Sequence, residues 1–279
     1  LRAIKLVVAN QSSYCTCLYC SSCILFSCSG SLCSSSHIAS SLCGSSLCGI
    51  FFSFIIINLV LSMFISATTV KATILLPIFM VVAYRYIPVP ITPLMLTRKI
   101  KEKTPINYQW TPIEEISPHL ALAVVASEDN LFMQHNGFDF KQIEIARREA
   151  EEGKRLRGAS TITQQTAKNL FLWQERSWLR KGLEAYFTVL MEFMWDKKRI
   201  MEAYLNCIEM GNGIYGAAAV ARINFNTTPD KLTKEQCALI AATLPNPRRY
   251  NSAKPSKYIL QRKNAILKNM KNIGSIKFQ

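Results

Sequence analysis

Glu128 closes the run Pro118-His-Leu-Ala-Leu-Ala-Val-Val-Ala-Ser-Glu128. A carboxylate at the end of so apolar a helix is partly withdrawn from water, which suits it to proton transfer. Glu128 is therefore the best general-base candidate in the chain. The string continues through Asp129 to His135, Gly137 and Asp139; His135 reads as a hydrogen-bonded scaffold residue and Gly137 as a turn. Taken alone, Glu128 and Asp129 could equally end a surface helix, so the choice rests on the polar strings further along the chain.

The second of these strings is Arg157-Gly-Ala-Ser160-Thr161-Ile-Thr163-Gln164-Gln165-Thr-Ala-Lys168-Asn169. Ser160 can cap a helix, and Gln165 and Lys168, three apart, share a helical face. An amide, an ammonium and a helix N-terminus together suit a sugar pyrophosphate. Capping alone would explain Ser160 but not the amides and lysine behind it. A third string, Arg180-Lys181-Gly-Leu-Glu184, sets Lys181 and Glu184 on one face at i, i+3; a surface ion pair is its bland alternative. A fourth runs from Lys197 through Glu202, Tyr204 and Asn206 into the turn Gly211-Asn-Gly213-Ile-Tyr215-Gly216 and reads mostly as packing. The fifth, Glu235-Gln-Cys-Ala-Leu-Ile-Ala-Ala-Thr-Leu-Pro245-Asn-Pro247, reads as a closing helix and turn.

The elements that must position these side chains are helical. Residues 118–128, 141–155 and 235–244 have helical composition, apolar groups recur at helical spacing almost without interruption from Lys181 to Glu209, and Val/Ile/Thr alternation is scarce. A mainly α domain over residues 107–256 is expected, followed by a basic tail at 257–279 that reads as a solvated helix. No Gly-rich phosphate loop, no His-Glu-x-x-His and no internal repeat occurs, which removes the common nucleotide and zinc-hydrolase readings. The 279 residues are 49% hydrophobic and only 18% charged, with a formal net charge of +15. That balance excludes a disordered chain and favours anionic partners. Nucleic acid is not among them: the basic residues are interspersed with acids after Glu102 and no nucleic-acid motif is present.

The charge is distributed unevenly. No acidic residue precedes Glu102, and Lys71 is the sole charge between Ile50 and Tyr84. One transmembrane anchor is expected at residues 63–86, with Tyr84, Arg85 and Tyr86 at the membrane–water boundary. No small-residue cleavage signal comes after it, so the anchor is expected to be retained. Residues 87–106 read as a stalk, because Pro88, Pro90 and Pro93 favour extended backbone and stop the helix from continuing. The basic flank Arg98, Lys99, Lys101 and Lys103 would lie in the cytoplasm by the positive-inside rule, so charge alone does not fix the topology. Residues 1–62 form a Cys/Ser-rich and apolar extension, with Met63 as a candidate native start. Cys15, Cys17, Cys20 and Cys23 have the spacing of a metal-ligand string. The same Cys/Ser bias continues past them with no second ligand group, so low complexity is the preferred reading.

Taken in order and at their separations, the five strings resemble the glycosyltransferase domain of family 51, the peptidoglycan polymerases. The stalk Arg85-Tyr-Ile-Pro-Val-Pro-Ile-Thr-Pro-Leu94 resembles that of the monofunctional biosynthetic transglycosylases. The match covers about residues 72–256. It implies a lysozyme-like α-helical fold behind an N-terminal transmembrane helix, with lipid II as substrate, β-1,4 glycan strands as product and undecaprenyl pyrophosphate as the released group. It makes Glu128 the base for the acceptor hydroxyl. It assigns the departing pyrophosphate to Glu184 with Lys168, Arg180 and Lys181, and lines the donor site with Ser160, Thr161, Gln165 and Asn169. No cofactor is required; a divalent cation, Mg2+ or Mn2+, would have Glu184 as its candidate ligand. The expected location is the plasma membrane, the inner one where there are two, in a single pass with the catalytic domain on the periplasmic side. The expected partners are the bilayer, nascent glycan and other cell-wall synthesis proteins. The chain departs from the family pattern at Ile223-Asn224, where an aromatic pair is usual, and at Cys207 and Cys237.

Two rival readings belong to other classes. A lytic muramidase of similar fold would use a Glu but has little need of clustered cations beside the second carboxylate. A non-catalytic membrane adaptor would use the basic face and no carboxylate. A penicillin-binding acyl-transfer site would need Ser-x-x-Lys, which the sequence does not contain.

Overall fold

The computed structural model describes residues 5–10, 13–20, 23–28, 71, 75–153 and 158–278. The chain divides into two units, Leu1–Lys71 and Ala72–Gln279. The described part of the first is an antiparallel sheet of β1 (Lys5–Asn10), β2 (Ser13–Cys20) and β3 (Cys23–Cys28). The Cys15 to Cys23 string falls on β2 and β3, and its side chains lie outside the described residues. So do residues 63–70 and 72–74 of the expected anchor. Among the described residues no helix is long and apolar enough to cross a membrane.

The second unit is mainly helical. It begins with α1, helical over residues 75–86. The chain then runs extended for a few residues and enters α2 (Pro93–Glu102), so the expected stalk is only partly extended. Pro93 stands at the start of the helix, where its missing N–H costs nothing, and the Thr92 hydroxyl caps the first turn. Leu94 and Met95 of α2 are buried beside Tyr215.

The core is built around α3 (Pro118–Glu128). From Leu120 to Ala126 every residue is buried, because the helix is covered by α9 (Lys234–Thr243) and by α10 (Lys257–Ile273). A helix apolar all round can only be central. The basic C-terminal segment is therefore no freely solvated helix: Ile259, Ile266 and Met270 lie on one face of α10 and are buried in the core. Its charges are plain in the sequence, but the apolar stripe between them is what sets its place in the fold.

A second layer packs α5 (Ile162–Phe171) against α6 (Trp178–Met194) and α7 (Lys197–Cys207). The near-continuous helical spacing expected from Lys181 to Glu209 is broken at Trp195, which is extended. There the Asp196 carboxylate accepts from the Arg199 N–H and starts α7, while Trp195 Nε1 donates to the Val81 carbonyl of α1 at 2.9 Å. A local cap and a distant acceptor outweigh a periodicity that runs straight through. Helix α8 (Gly216–Phe225) packs on α7 and on a small sheet in which β6 (Ile214–Tyr215) pairs parallel to β4 (Asn107–Tyr108) and antiparallel to β5 (Glu209–Gly211), whereas α4 (Phe140–Glu151) has no fully buried residue. Cys207 and Cys237 are buried free thiols, and burial pushes each up to about 12, so both stay protonated.

Candidate active site

The C-terminus of α3 delivers Glu128 and Asp129 side by side, and their surroundings separate their roles. The Asp129 carboxylate is buried. It accepts from the backbone N–H of Ile162 at 3.0 Å and contacts His135 Nε2 at 2.9 Å, so it ties the first turn of α5 to the loop after α3. Glu128 is less enclosed. Its Oε2 accepts from Gln165 Nε2 at 3.2 Å and its Oε1 from the Ser127 hydroxyl at 3.1 Å, while the Arg262 guanidinium stands 4.0 Å away.

Gln165 is itself held. Its Oε1 accepts from the hydroxyl of Tyr204, a buried residue of α7, at 3.2 Å. Burial, reinforced by the negative charges of Glu128 and Asp129, pushes the Tyr204 phenol well above the ordinary tyrosine value, so it remains a donor. A donor on Oε1 leaves the amide nitrogen to face Glu128, which fixes the orientation of Gln165.

The loop from Asp129 to Asp139 is pinned from several sides. Thr161 caps α5 in a capping box with Gln164, and its hydroxyl also donates to the Gly137 carbonyl at 2.7 Å. Lys197 Nζ donates to the His135 carbonyl at 2.7 Å and pairs with Glu192 at 2.8 Å, over the face of Phe132. Gly137 has φ +87°, and a Cβ there would sit 2.6 Å from Thr188 Cγ2, so the turn read from the sequence demands glycine on two counts. A cavity opens beside this loop, lined by Glu128, Asp129, Asp139, Ser160 and Thr161 among others.

The second carboxylate, Glu184 on α6, is almost fully buried. Its Oε2 accepts from Arg180 at 2.9 Å and its Oε1 from Lys181 at 2.5 Å, so both oxygens are engaged by cations of its own helix. Lys168 of α5 sits in the same field. Burial pulls its ammonium below the ordinary lysine value, partly opposed by Glu184 and reinforced by Arg180, Lys181 and Arg176. One carboxylate among four cations leaves positive charge uncompensated.

Glu128 and Glu184 are linked across α5. Along its buried face this helix hides Ile162, Thr163, Gln164, Thr166, Ala167, Asn169 and Leu170, whereas Gln165 and Lys168, one turn apart, remain partly accessible. Gln165 touches Glu128 and Lys168 lies in the field of Glu184. The i, i+3 pair read from the sequence thus joins two charge environments of opposite character. The other expected donor-site residues divide: Ser160 is exposed at the cavity, the Thr161 hydroxyl is committed to the scaffold, and Asn169 is buried in α5.

A family model for the transglycosylases matches residues 96–271, a span that contains both carboxylates, the four cations and Arg262. The chain belongs to the transglycosylase family. Its relatives include a biosynthetic peptidoglycan transglycosylase of Bacteroides thetaiotaomicron, 59% identical over 198 residues that cover 69% of this chain and 80% of the relative. Proteins of the same name from Bdellovibrio bacteriovorus and Caulobacter vibrioides are 51% and 49% identical, over 67% and 68% of this chain and 77% and 82% of their own lengths. The match reaches well into α10, which agrees with the buried face of that helix.

Arg262, Ser127 and Tyr204 are the site residues that the sequence did not reveal. Tyr204 belongs to a string read as packing, and Arg262 to a segment read as a solvated tail. Only the crossing of α10 over the ends of α3 and α9 brings Arg262 to Glu128.

Proposed function

We propose that this protein is a peptidoglycan glycosyltransferase that polymerises lipid II into β-1,4 glycan strands with inversion, releasing undecaprenyl pyrophosphate. The observation that carries the reading is the division of labour between the two carboxylates. Glu128 is reached by neutral donors and one cation at 4.0 Å, so it is free to take a proton. Glu184 is locked between Arg180 and Lys181 and cannot serve as a base, but it holds those cations in place.

In this reading the acceptor hydroxyl gives its proton to Glu128 as its oxygen attacks the anomeric carbon of the donor sugar. The bond to pyrophosphate breaks on the opposite face. Lys168, Arg180 and Lys181 stabilise the charge that develops there, and the partial desolvation of Lys168 strengthens its interaction with an arriving phosphate. An α-linked donor and a β-linked product require one in-line displacement, hence a base and an anion site on opposite sides of the reacting carbon.

The Glu184 carboxylate already holds two cations of the chain itself, Arg180 and Lys181, one on each oxygen. Among the described residues no three His, Cys, Asp or Glu side chains converge to hold a metal. The mechanism accordingly routes no step through a metal ion. A lysozyme-like arrangement, membrane anchoring in a single pass and a periplasmic catalytic domain belong to the same proposal. The mainly helical core supports the first, the apolar, acid-free sequence ahead of Glu102 the second, and the peptidoglycan-synthesis names of the relatives the third.

Incubation with purified lipid II, and separately with finished glycan, tests the reading. Polymer from lipid II that is lost in Glu128→Gln, with the variant still folded, is the expected result. Cleavage of finished glycan without polymer would establish the muramidase alternative, and full polymerisation by Glu128→Gln would remove Glu128 from the chemistry.

A further inference from the structure

We propose that Arg262 is a positioning residue that orients Glu128 through the Ser127 hydroxyl. The inference rests on Glu128 as the base and adds what holds it. Arg262 lies on the buried face of α10, between Ile259 and Ile266 at helical spacing, so the stem of its side chain is fixed by packing. Its Nε donates to the Ala242 carbonyl at 3.2 Å, one of the carbonyls that the last turn of α9 leaves without an intrahelical partner. One terminal nitrogen then donates to Ser127 Oγ at 3.3 Å.

The Ser127 hydroxyl has two acceptors within reach, Glu128 Oε1 at 3.1 Å and the Ala241 carbonyl at 3.4 Å. A hydroxyl has one proton to give. With Arg262 occupying a lone pair of Oγ and its positive charge 4.0 Å from Glu128, the arrangement favours the carboxylate as acceptor. The other carboxylate oxygen is held by Gln165, which Tyr204 orients. Glu128 is thus gripped on both oxygens from two different helices, α10 and α5. Such double support is what keeps a base within the narrow geometry that proton transfer requires. A second side chain of α10, Asn269, donates to the Ala126 carbonyl at 3.4 Å and steadies the same end of α3.

The test is steady-state polymerisation of lipid II by the full chain, with Arg262→Gln, Arg262→Lys, Ser127→Ala and the double variant Ser127→Ala/Arg262→Gln. A residue acting through Glu128 lowers kcat by about 10- to 100-fold and leaves KM within about twofold. Arg262→Lys should restore part of the loss, and the double variant should be no worse than the more damaging single one, since both break one chain. Ser127→Ala leaves the packing of α10 untouched and carries the test if Arg262→Gln fails to fold. A raised KM at unchanged kcat would place the guanidinium on the substrate and overturn the proposal, as would additive losses or full activity in Arg262→Gln. Glu128→Gln, assayed alongside, keeps the two readings apart. If it is inactive while Arg262→Gln is fully active, only the positioning role falls. If it polymerises normally, the reading of Glu128 itself falls.

Discussion

Asp129→Ala should destabilise the fold more than any other single change at the polar end of α3. The Asp129 side chain is buried and makes two kinds of bond at once, to the Ile162 N–H at 3.0 Å and to the His135 ring at 2.9 Å. A carboxylate on a helix N-terminus contributes about 0.5–2 kcal/mol. A charge-assisted bond to a ring N–H contributes about 1.5–3 kcal/mol, and removing the acceptor leaves a buried donor unsatisfied. These contributions overlap, so the expected loss is about 2–4 kcal/mol. With a slope of about 2–3 kcal/mol per molar urea for a domain of this size, the unfolding midpoint should fall by roughly 1 M. Asp129→Asn separates the two bonds. Its carbonyl oxygen, in the place of Oδ2, can still accept from Ile162 and stays within reach of His135 Nε2. Its NH2 takes the place of Oδ1, the nearer contact of Nε2, where only a ring with its proton on Nδ1 could accept. That nitrogen is buried without a hydrogen-bond partner. Asparagine should therefore recover the helix bond and only part of the histidine contact, for an intermediate loss of about 1–2 kcal/mol. Equilibrium urea unfolding of both variants decides the matter. A loss below about 0.5 kcal/mol for alanine, or equal losses for the two, would refute the assignment of Asp129 as a structural tie.

The same geometry bears on two further perturbations. Lys168→Met should reduce polymerisation while raising the stability of the substrate-free protein at neutral pH, because it removes a partly buried cation from the field of Arg176, Arg180 and Lys181. Lys168 is held below its unfolded value, so the wild type gains stability as pH rises through the window between the two; the advantage of Lys168→Met in thermal melts should shrink there. Gly137→Ala combines a left-handed backbone with a Cβ 2.6 Å from Thr188 Cγ2 and should cost about 2–4 kcal/mol in denaturant unfolding, with polymerisation falling as the loop beside Glu128 shifts.

How much of this was legible in the chain depends on whether a signal is local. The helices α3 and α9 were readable because their cause lies within them, an apolar run in each; α5 was readable as a capped helix, but its cap is Thr161 closed by Gln164 and not the expected Ser160. The pair Gln165 and Lys168, and the triplet Arg180, Lys181 and Glu184, were readable because i, i+3 and i, i+4 neighbours meet on any helix. The break at Trp195 was not, since it depends on a carbonyl more than a hundred positions away at Val81. Nor was the burial of one face of α10, because the stripe of Ile259, Ile266 and Met270 is diluted by the polar run from Gln261 to Asn264 and by Lys268 and Asn269.

Residue type and spacing by themselves determined which groups are proposed to carry the chemistry: a carboxylate that closes an apolar helix, and a second one embedded among cations. Those properties are set over a turn or two of chain, and every fold that makes the helices must express them. Tertiary structure alone decided how the first carboxylate is aimed. Ser127 precedes it by one position, but Gln165, Tyr204 and Arg262 arrive from three other helices. Their hydrogen bonds depend on how those helices cross, a quantity no local spacing encodes.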